Sequence, residues 1–572
     1  MNIKADNTGK GRQAISDWLM DCRKNVYAAD RDYAHTIKHA LPADFTRLHP
    51  ELESFGLKVA AELEPLVTEN NLSYNLPRIE HYDAAGNPHQ RVIHHPSYRE
   101  AGNIIYGTQM LKRMSRPGGM TECLAFLFLS SQAGEAGHNC PAACSAGIIR
   151  VLQKTPDFPG KQAYIERLTA SSYDTNYTGA QFLTEIQGGS DVGLNAVEAR
   201  RENENVWRIR GEKWFCSNAG ADLIFLTARH DPGIPGTKGL GLFLVPALWN
   251  GEPNHYFIRR LKDKIGTRSM ATGEVDFQDA YALTLGNVED GFHLVMDNVL
   301  HLSRLFNTIC VLGMARRAFF QACHYARRRI VFSKSVIAHP LAAENLARIK
   351  SENSAMLAAV FATARLQDEY DTGAASGENV KLLLRLLVNM QKYLSAQWSV
   401  QHIHHALDTL AGNGTIETFS AIPRLLRDSI VCENWEGTHN VLRAQILKDI
   451  LKFDLDSLYI SYMRAEMNKL KTLSEILQPV QDELARLETL IKTFREQETD
   501  LQQLQIRQLV DRMVILYCAV MLYHEAVDQQ TREKSDSKMD CLRYFCLTRL
   551  GSQKASLDRG YLNLISRIMQ TD

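Results

Sequence analysis

Hydrophobic and polar positions change their spacing three times along the chain. Residues 1–177 carry mostly helical periodicity, broken by the Pro/His/Asn-rich stretch GNPHQRVIHHPSYREAG at 86–102. Between about 178 and 285 the apolar residues shorten into runs such as VWRIRGEKWFCS, LIFLTAR, LGLFLVP and GEVDFQD, punctuated by Gly, Asn, Asp and Pro. Such runs predict strands of a small antiparallel barrel or sandwich. From 286 to 452 long helical runs return, among them SRLFNTICVLGMARRAFFQACHYARRRIVF and VKLLLRLLVNMQKYLSAQWSVQHIHHALDTL. A last segment, 453–572, places Leu477, Val480, Leu484, Leu487, Ile491 and Phe494 three and four apart, one stripe of an amphipathic helix. The stripe predicts packing on the protein's own core. The expected fold is therefore mainly helical α+β: a helical domain over 1–177, a β domain over 178–285, a helical bundle over 286–452 and an added helical domain over 453–572.

Composition narrows the class. A chain of 572 residues exceeds what one core fills, and 45% hydrophobic with 23% charged residues is ordinary for a globular protein. Lys+Arg and Asp+Glu both total 65, so no overall field favours nucleic acid or a membrane surface. The added segment holds sixteen Lys+Arg against eighteen Asp+Glu, which argues against a basic nucleic-acid arm. The apolar run MVILYCAVMLY at 513–523 is too short to span a bilayer, so no integral membrane segment is expected, and MNIKADNTGKGRQ carries no secretory h-region. Eleven scattered cysteines suit a reducing cytoplasm better than a disulfide framework.

Several motifs carry little chemistry on their own. GTKGLG at 236–241 lies between strands and so fails the strand-to-helix context of a dinucleotide fingerprint. His138, Cys140 and Cys144 lack a second ligand pair at zinc spacing, so no metal site is expected, and His402, His404 and His405 read as a polar helix face. FLTEIQGGSD (182–191) and GEKWFCSN (211–218) are stronger. The glycines of the first let a ligand approach the backbone, and its hydroxyls and amides suit a phosphate or a polar heterocycle.

Taken together with RLKDKIGTRSMATGEVDFQDA, YARRRIVFS, LAGNG, PRLLRD and WEGT, in that order and spacing over about 100–450, these strings resemble the acyl-CoA dehydrogenase superfamily. Their wording is most similar to the branch that contains the alkylation-response flavoprotein AidB. The resemblance implies FAD held without a dinucleotide fingerprint, between the β domain and the helical bundle and partly by a neighbouring subunit. It places Thr184 and Ser190 by the flavin ring or the thioester, and Phe215 and Ser217 where the family usually has Trp and Thr against the isoalloxazine. Arg329 and Phe332 match the family's Arg-x-x-Phe-Gly phosphate contact, with Ser333 in place of Gly. Gly412 lies in a Gly-Gly-x-Gly whose first glycine is Ala411, Thr438 is a further FAD contact, and Arg304 matches an arginine that helps hold CoA. Glu436 falls on the catalytic base.

The chemistry of that base explains its setting. A proton α to a thioester is weakly acidic, and a carboxylate near its solution pKa of about 4.3 removes it poorly. Burial among apolar neighbours raises that pKa, and donors to the thioester oxygen stabilise the developing enolate. The resemblance thus implies acyl-CoA as substrate, an electron-transfer flavoprotein or oxygen as acceptor, and a homodimer or homotetramer. An alternative is an AidB-like flavoprotein of little dehydrogenase activity that binds nucleic acid or a partner.

Overall fold

The computed structural model describes residues 3–470, 474–550 and 558–570, and places them in two compact units. One comprises 1–62, 120–134 and 307–572, the other 63–119 and 135–306, so the N-terminal stretch contributes to both.

The second unit is built around a sheet of seven strands: β1 Gly179–Phe182, β2 Glu198–Arg201, β3 Val206–Ser217, β4 Leu223–Arg229, β5 Leu240–Pro246, β6 Tyr256–Leu261 and β7 Thr272–Thr284. Their order is β6-β7-β3-β2-β4-β1, and β5 pairs with both β4 and β7, which closes the sheet into a barrel. Phe182, Ile209, Leu226, Phe243, Val275 and Phe277 fill it. One expectation needs correction: β1 runs parallel to β4, and β2 meets β4 in parallel at Glu198 and Arg229. The forty residues between β1 and β4 give the chain room for the crossover that a parallel pair requires. The Pro/His-rich break has structure of its own. It holds half of a hairpin, Arg78–Tyr82 with Pro88–Ile93, followed by the helix Pro96–Tyr106.

The GTKGLG string forms a 3-10 turn, Gly236–Gly239, leading into β5. His138 is buried in an aromatic cluster, 4.0 Å from the Tyr98 ring centroid, with its Nε2 2.8 Å from the Tyr98 carbonyl. Burial lowers its pKa to about 4, and that of His94, stacked on the other side of Tyr98, to about 3.

Among the described residues, the first unit is helical apart from one small hairpin. Helix Pro340–Thr372 packs on Glu378–Thr409 and on Thr499–Glu533. The run at 513–523 lies inside that last helix and is buried throughout except at Ile515, which is half-buried. The stripe behaves as its spacing predicts: Val480, Leu487 and Phe494 on helix Ser474–Arg495 are fully buried, each contributing on the order of 1.5–3 kcal/mol. Polar contacts also join the added segment to the rest of this unit. The Lys538 ammonium, paired with Glu525 at 2.7 Å, donates to Thr36 Oγ1 at 2.9 Å, and Asp32 accepts from Ser537 at 2.8 Å and lies 3.6 Å from Lys350. Burial pushes the Asp32 carboxyl up, but Lys350, Lys538 and Arg316 outweigh it and hold the group below the usual carboxylate range. His402 is likewise no surface residue: it is buried, with Nε2 2.8 Å from Glu352. The helical period set the face correctly for His404, which is exposed, and His402 lies on the opposite one.

Candidate functional site

In the sheet unit, the two strongest motifs meet. The Trp214 amide donates to the Thr184 carbonyl at 2.9 Å, and the Lys213 ammonium reaches Glu185 at 2.7 Å with both side chains buried. The Glu185 carboxylate also accepts from the amides of Ala196 and Val197. Burial lowers the Lys213 pKa, and Glu185 opposes that shift. A buried charge persists only where it is paired and hydrogen-bonded in this way. The pair pins the TEIQGGSD loop to β3.

Strict alternation along β3 would put Phe215 on the same face as Lys213, inside the barrel. The strand avoids this with a bulge. Cys216 pairs with Gly273 and Lys213 with Val275, so Trp214 and Phe215 together oppose the single residue Glu274. An extra residue re-aims the side chains that follow it; Lys213 and Cys216 are buried while Phe215 is 51% exposed. Around this ring, the Lys262 ammonium sits 3.4 Å from the Trp214 centroid and 2.7 Å from Glu274. Ser217 Oγ lies 3.5 Å from Thr272 Oγ1, which accepts from Lys264 at 2.8 Å. Thr184 is half-buried and Ser190 is exposed at the end of the loop. Arg304, in the first turn of helix His301–Arg328, is only 7% exposed, so it is packed rather than presented.

In the helical unit, the remaining candidates sit on three short breaks between α-helices. Arg329 follows helix His301–Arg328, with its amide bonded to the Tyr325 carbonyl at 2.8 Å, and opens the hairpin Ile330–Val331/Lys334–Ser335. The two residues at the hairpin tip, Phe332 and Ser333, have φ of 48° and 66°, the pattern of a type I′ turn. A phenylalanine in that region is unusual, and this one is 92% exposed. Ala411, where the family has glycine, has φ 52°. A Cβ added at Gly412 would meet nothing within 4 Å, so the backbone there is open to a close approach. Asn413 holds the segment to the helix that leads to Arg329, donating to the Tyr325 hydroxyl at 3.1 Å.

The third break carries Glu436. Helix Ile422–Asn434 ends at Trp435, whose ψ of 150° leaves the helical region. Glu436 and Gly437 follow with φ of 58° and 101°, and Thr438 starts helix His439–Phe453 without using its side chain as a cap. That hydroxyl, which an N-cap threonine normally spends on the backbone, remains available to a ligand. Glu436 is half-buried rather than fully buried. Beneath the turn lies Lys392, 0% exposed on helix Glu378–Thr409, donating to the carbonyls of Glu433 at 3.1 Å and Gly437 at 2.8 Å. His439 Nε2 lies 3.2 Å from the Glu433 carboxylate across the same turn. Sequence reasoning missed Lys392, although a lone lysine within LLVNMQKYLSAQW is a signal in itself.

Backbone outliers of this kind cost about 1–3 kcal/mol each and gather where function requires them. Phe332, Ser333, Ala411 and Glu436 all fall on motif positions. The donor set fits FAD: a flat exposed ring with hydroxyls beside it on the sheet unit suits an isoalloxazine, and an exposed arginine, an open glycine and an uncommitted threonine hydroxyl on the helical unit suit phosphate and ribityl oxygens.

Comparison with known proteins agrees. Family models match in three consecutive stretches: the adaptive response protein AidB N-terminal domain over 21–175, the acyl-CoA dehydrogenase middle domain over 180–280 and the acyl-CoA dehydrogenase C-terminal domain over 289–451. Acyl-CoA dehydrogenase family member 11 of Caenorhabditis elegans is 27% identical over 91% of this chain and 87% of its own length. The putative acyl-CoA dehydrogenase AidB of Escherichia coli K12 is 30% identical over 66% of this chain and 70% of its own. The crystal structure of C. elegans ACDH-11 in complex with C11-CoA superposes with a TM-score of 0.85 at 25% identity, covering 93% of this chain and 92% of that one. The likeness to ACDH-11 extends into the added helices beyond 452. The chain belongs to the acyl-CoA dehydrogenase family, FAD-dependent oxidoreductases acting on CH–CH bonds, and within it to the branch that carries the AidB N-terminal domain.

Proposed function

We propose that this protein dehydrogenates an acyl-CoA thioester between its α and β carbons, with Glu436 as the base that takes the α proton. The observation that carries the reading is the Trp435–Thr438 turn, which holds a carboxylate in a left-handed conformation between two helices. Backbone strain of this kind gathers where function requires it. A half-buried carboxylate keeps part of its hydration until a substrate covers it. Seating the acyl chain then strips the remaining water, raises the Glu436 pKa towards the working pH and makes it a competent base. Its own amide donates to the thioester oxygen and stabilises the enolate that forms as the proton leaves. FAD, when bound, supplies the acceptor for the β-hydride. Phe215 orients that cofactor by its flat face, Thr184, Ser190 and Ser217 by hydroxyl hydrogen bonds, and Arg329, Phe332, Gly412 and Thr438 hold its phosphate and adenosine side. Arg304 supports the CoA moiety from within the fold.

The substrate is a medium-to-long acyl group, in line with the C11-CoA bound by the C. elegans relative. Electrons pass on to an electron-transfer flavoprotein or to oxygen, within cytoplasmic acyl-chain metabolism. The exposed tip Phe332, with Ile330 and Leu341 beside it in sequence and also exposed, suits a surface covered by a second copy, as a homodimer or homotetramer supplies. Membership of the AidB branch keeps one rival reading in play, a flavoprotein of little dehydrogenase activity that binds nucleic acid or a partner. Anaerobic titration with a panel of acyl-CoAs separates the two. Bleaching of the flavin band by one acyl class is the expected result; a yellow protein that no acyl-CoA bleaches overturns the dehydrogenase reading in favour of the rival.

A further inference from the structure

We propose that Lys392 is a positioning residue for Glu436, and that its ammonium sets where the catalytic carboxylate points by tying together the two ends of the turn that carries it. The inference rests on the reading of Glu436 as the base.

Three features of the site support it. The lysine is 0% exposed, in the middle of helix Glu378–Thr409, with Val388, Met390, Tyr393 and Leu394 buried around it. Methionine or leucine would pack there without the cost of desolvating a cation, so the ammonium needs a reason. Two backbone carbonyls that it reaches supply one. The Glu433 carbonyl belongs to the last turn of helix Ile422–Asn434, where carbonyls have no intrahelical partner and a cation complements the helix dipole. The Gly437 carbonyl lies on the far side of Glu436, in residues with positive φ that no regular hydrogen-bonding ladder supports. One ammonium, with three donors on one atom, thus spans residues 433 to 437 and fixes the backbone on both sides of the carboxylate. The two contacts bracket Glu436, whose φ is 58°.

Misplacing a catalytic group by about 1 Å costs on the order of 10²-fold in rate. The FAD-loaded Lys392→Met variant is therefore expected to bleach anaerobically about 10–100-fold more slowly with the acyl-CoA that the wild type uses, with the half-saturating concentration nearly unchanged. Two further measurements separate positioning from general damage. With α-deuterated acyl-CoA the isotope effect on bleaching should rise, because proton removal becomes the slower step. In the protein without substrate, amide hydrogen exchange in the peptide spanning 433–440 should accelerate while the sheet unit keeps its protection. Glu436→Gln, run alongside, tests the reading beneath. If Glu436→Gln loses turnover and Lys392→Met keeps wild-type rate and isotope effect, positioning by Lys392 is overturned alone. A rate loss in Lys392→Met with an unchanged isotope effect and uniformly faster exchange also overturns it. Wild-type turnover in Glu436→Gln overturns both. Should Lys392→Met fail to yield holoprotein, Lys392→Gln, which loses the charge and the reach to both carbonyls, is judged by the same outcomes.

Discussion

The barrel and the helical unit present their candidate ligand residues by opposite means. The barrel uses an extra residue in β3 to turn Phe215 outward, then locks that strand to the TEIQGGSD loop with a buried ion pair. Its exposed groups stand on a hydrogen-bonded base, and the positive φ values at this edge fall on Gly211 and on Asn218 just past the strand rather than on Phe215 or Ser217 themselves. The helical unit has no such base to offer, because an α-helix consumes its own amides and carbonyls. It presents ligand groups only where helices stop, and there it accepts strain at Phe332, Ser333, Ala411 and Glu436. Damage to the first kind of site should therefore appear as lost stability together with lost FAD. Damage to the second should appear as lost function in a protein that still folds.

The largest effect tests the second half of that contrast. Glu436→Gln should keep fold and FAD while anaerobic bleaching slows by at least roughly 10²–10⁴-fold, the range of general base catalysis. A variant with wild-type turnover removes Glu436 from the mechanism. Next comes the barrel. Lys213→Met or Glu185→Gln leaves one buried ionic group without its partner and should cost about 3–5 kcal/mol, read as a lower midpoint in urea, with FAD lost in parallel. The double variant Lys213→Met/Glu185→Leu should recover part of that loss. Single variants as stable as the wild type would mean that the ion pair does not anchor the loop. Arg329→Ala separates the two units further: fold retained, FAD retention and assembly weakened together. Stoichiometric FAD in a monomeric Arg329→Ala protein would contradict the reading of that hairpin.

The same contrast explains what could be read from the chain. Helices and strands of period 3.6 and 2 followed from spacing, as the stripe from Val480 to Phe494 illustrates. Motif strings located the candidate residues, because short strings with fixed glycines and charges survive as text. The bulge at Trp214–Phe215 did not, since a one-residue slip depends on the partner strand. Lys392 was hidden for a similar reason: its acceptors lie 41 and 45 residues away, on carbonyls that carry no sequence signature. His402 read as polar surface because its partner Glu352 is on another helix. Contacts made by long-range backbone or buried charge are invisible to a periodicity argument.

Acid should act on the sheet-bearing unit through two buried imidazoles. His94 and His138, with pKa lowered by burial to about 3 and about 4, stay neutral in the fold but bind protons when unfolded, below about 6.5. Their contribution is complete above pH 6.5 and is lost as pH falls towards about 4 for His138 and about 3 for His94, at up to about 1.4 kcal/mol per pH unit for each histidine. Thermal melts between pH 7.5 and 4.5 should show this slope, and His138→Phe should flatten it by about one proton at a lower overall stability. An unchanged slope in that variant would rule out His138 as a contributor.

The smallest effect concerns the hairpin tip, where the strain account is at its most exposed. Ser333 holds φ 66° in a two-residue turn where glycine is at ease. If the tip is strained because function fixes it, Ser333→Gly relieves the strain in the fold but also loosens the unfolded chain, so the net gain is small, about 0.5–1 kcal/mol. The more telling readout is FAD. Arg329 and Phe332 keep their chemistry in Ser333→Gly, and the turn type is unchanged, so FAD stoichiometry should stay at the wild-type value while the melting temperature rises slightly. A drop in stability would mean that Ser333 makes a contact worth more than its strain, and the helical unit would then owe this break to packing, as the barrel does, rather than to tolerated strain.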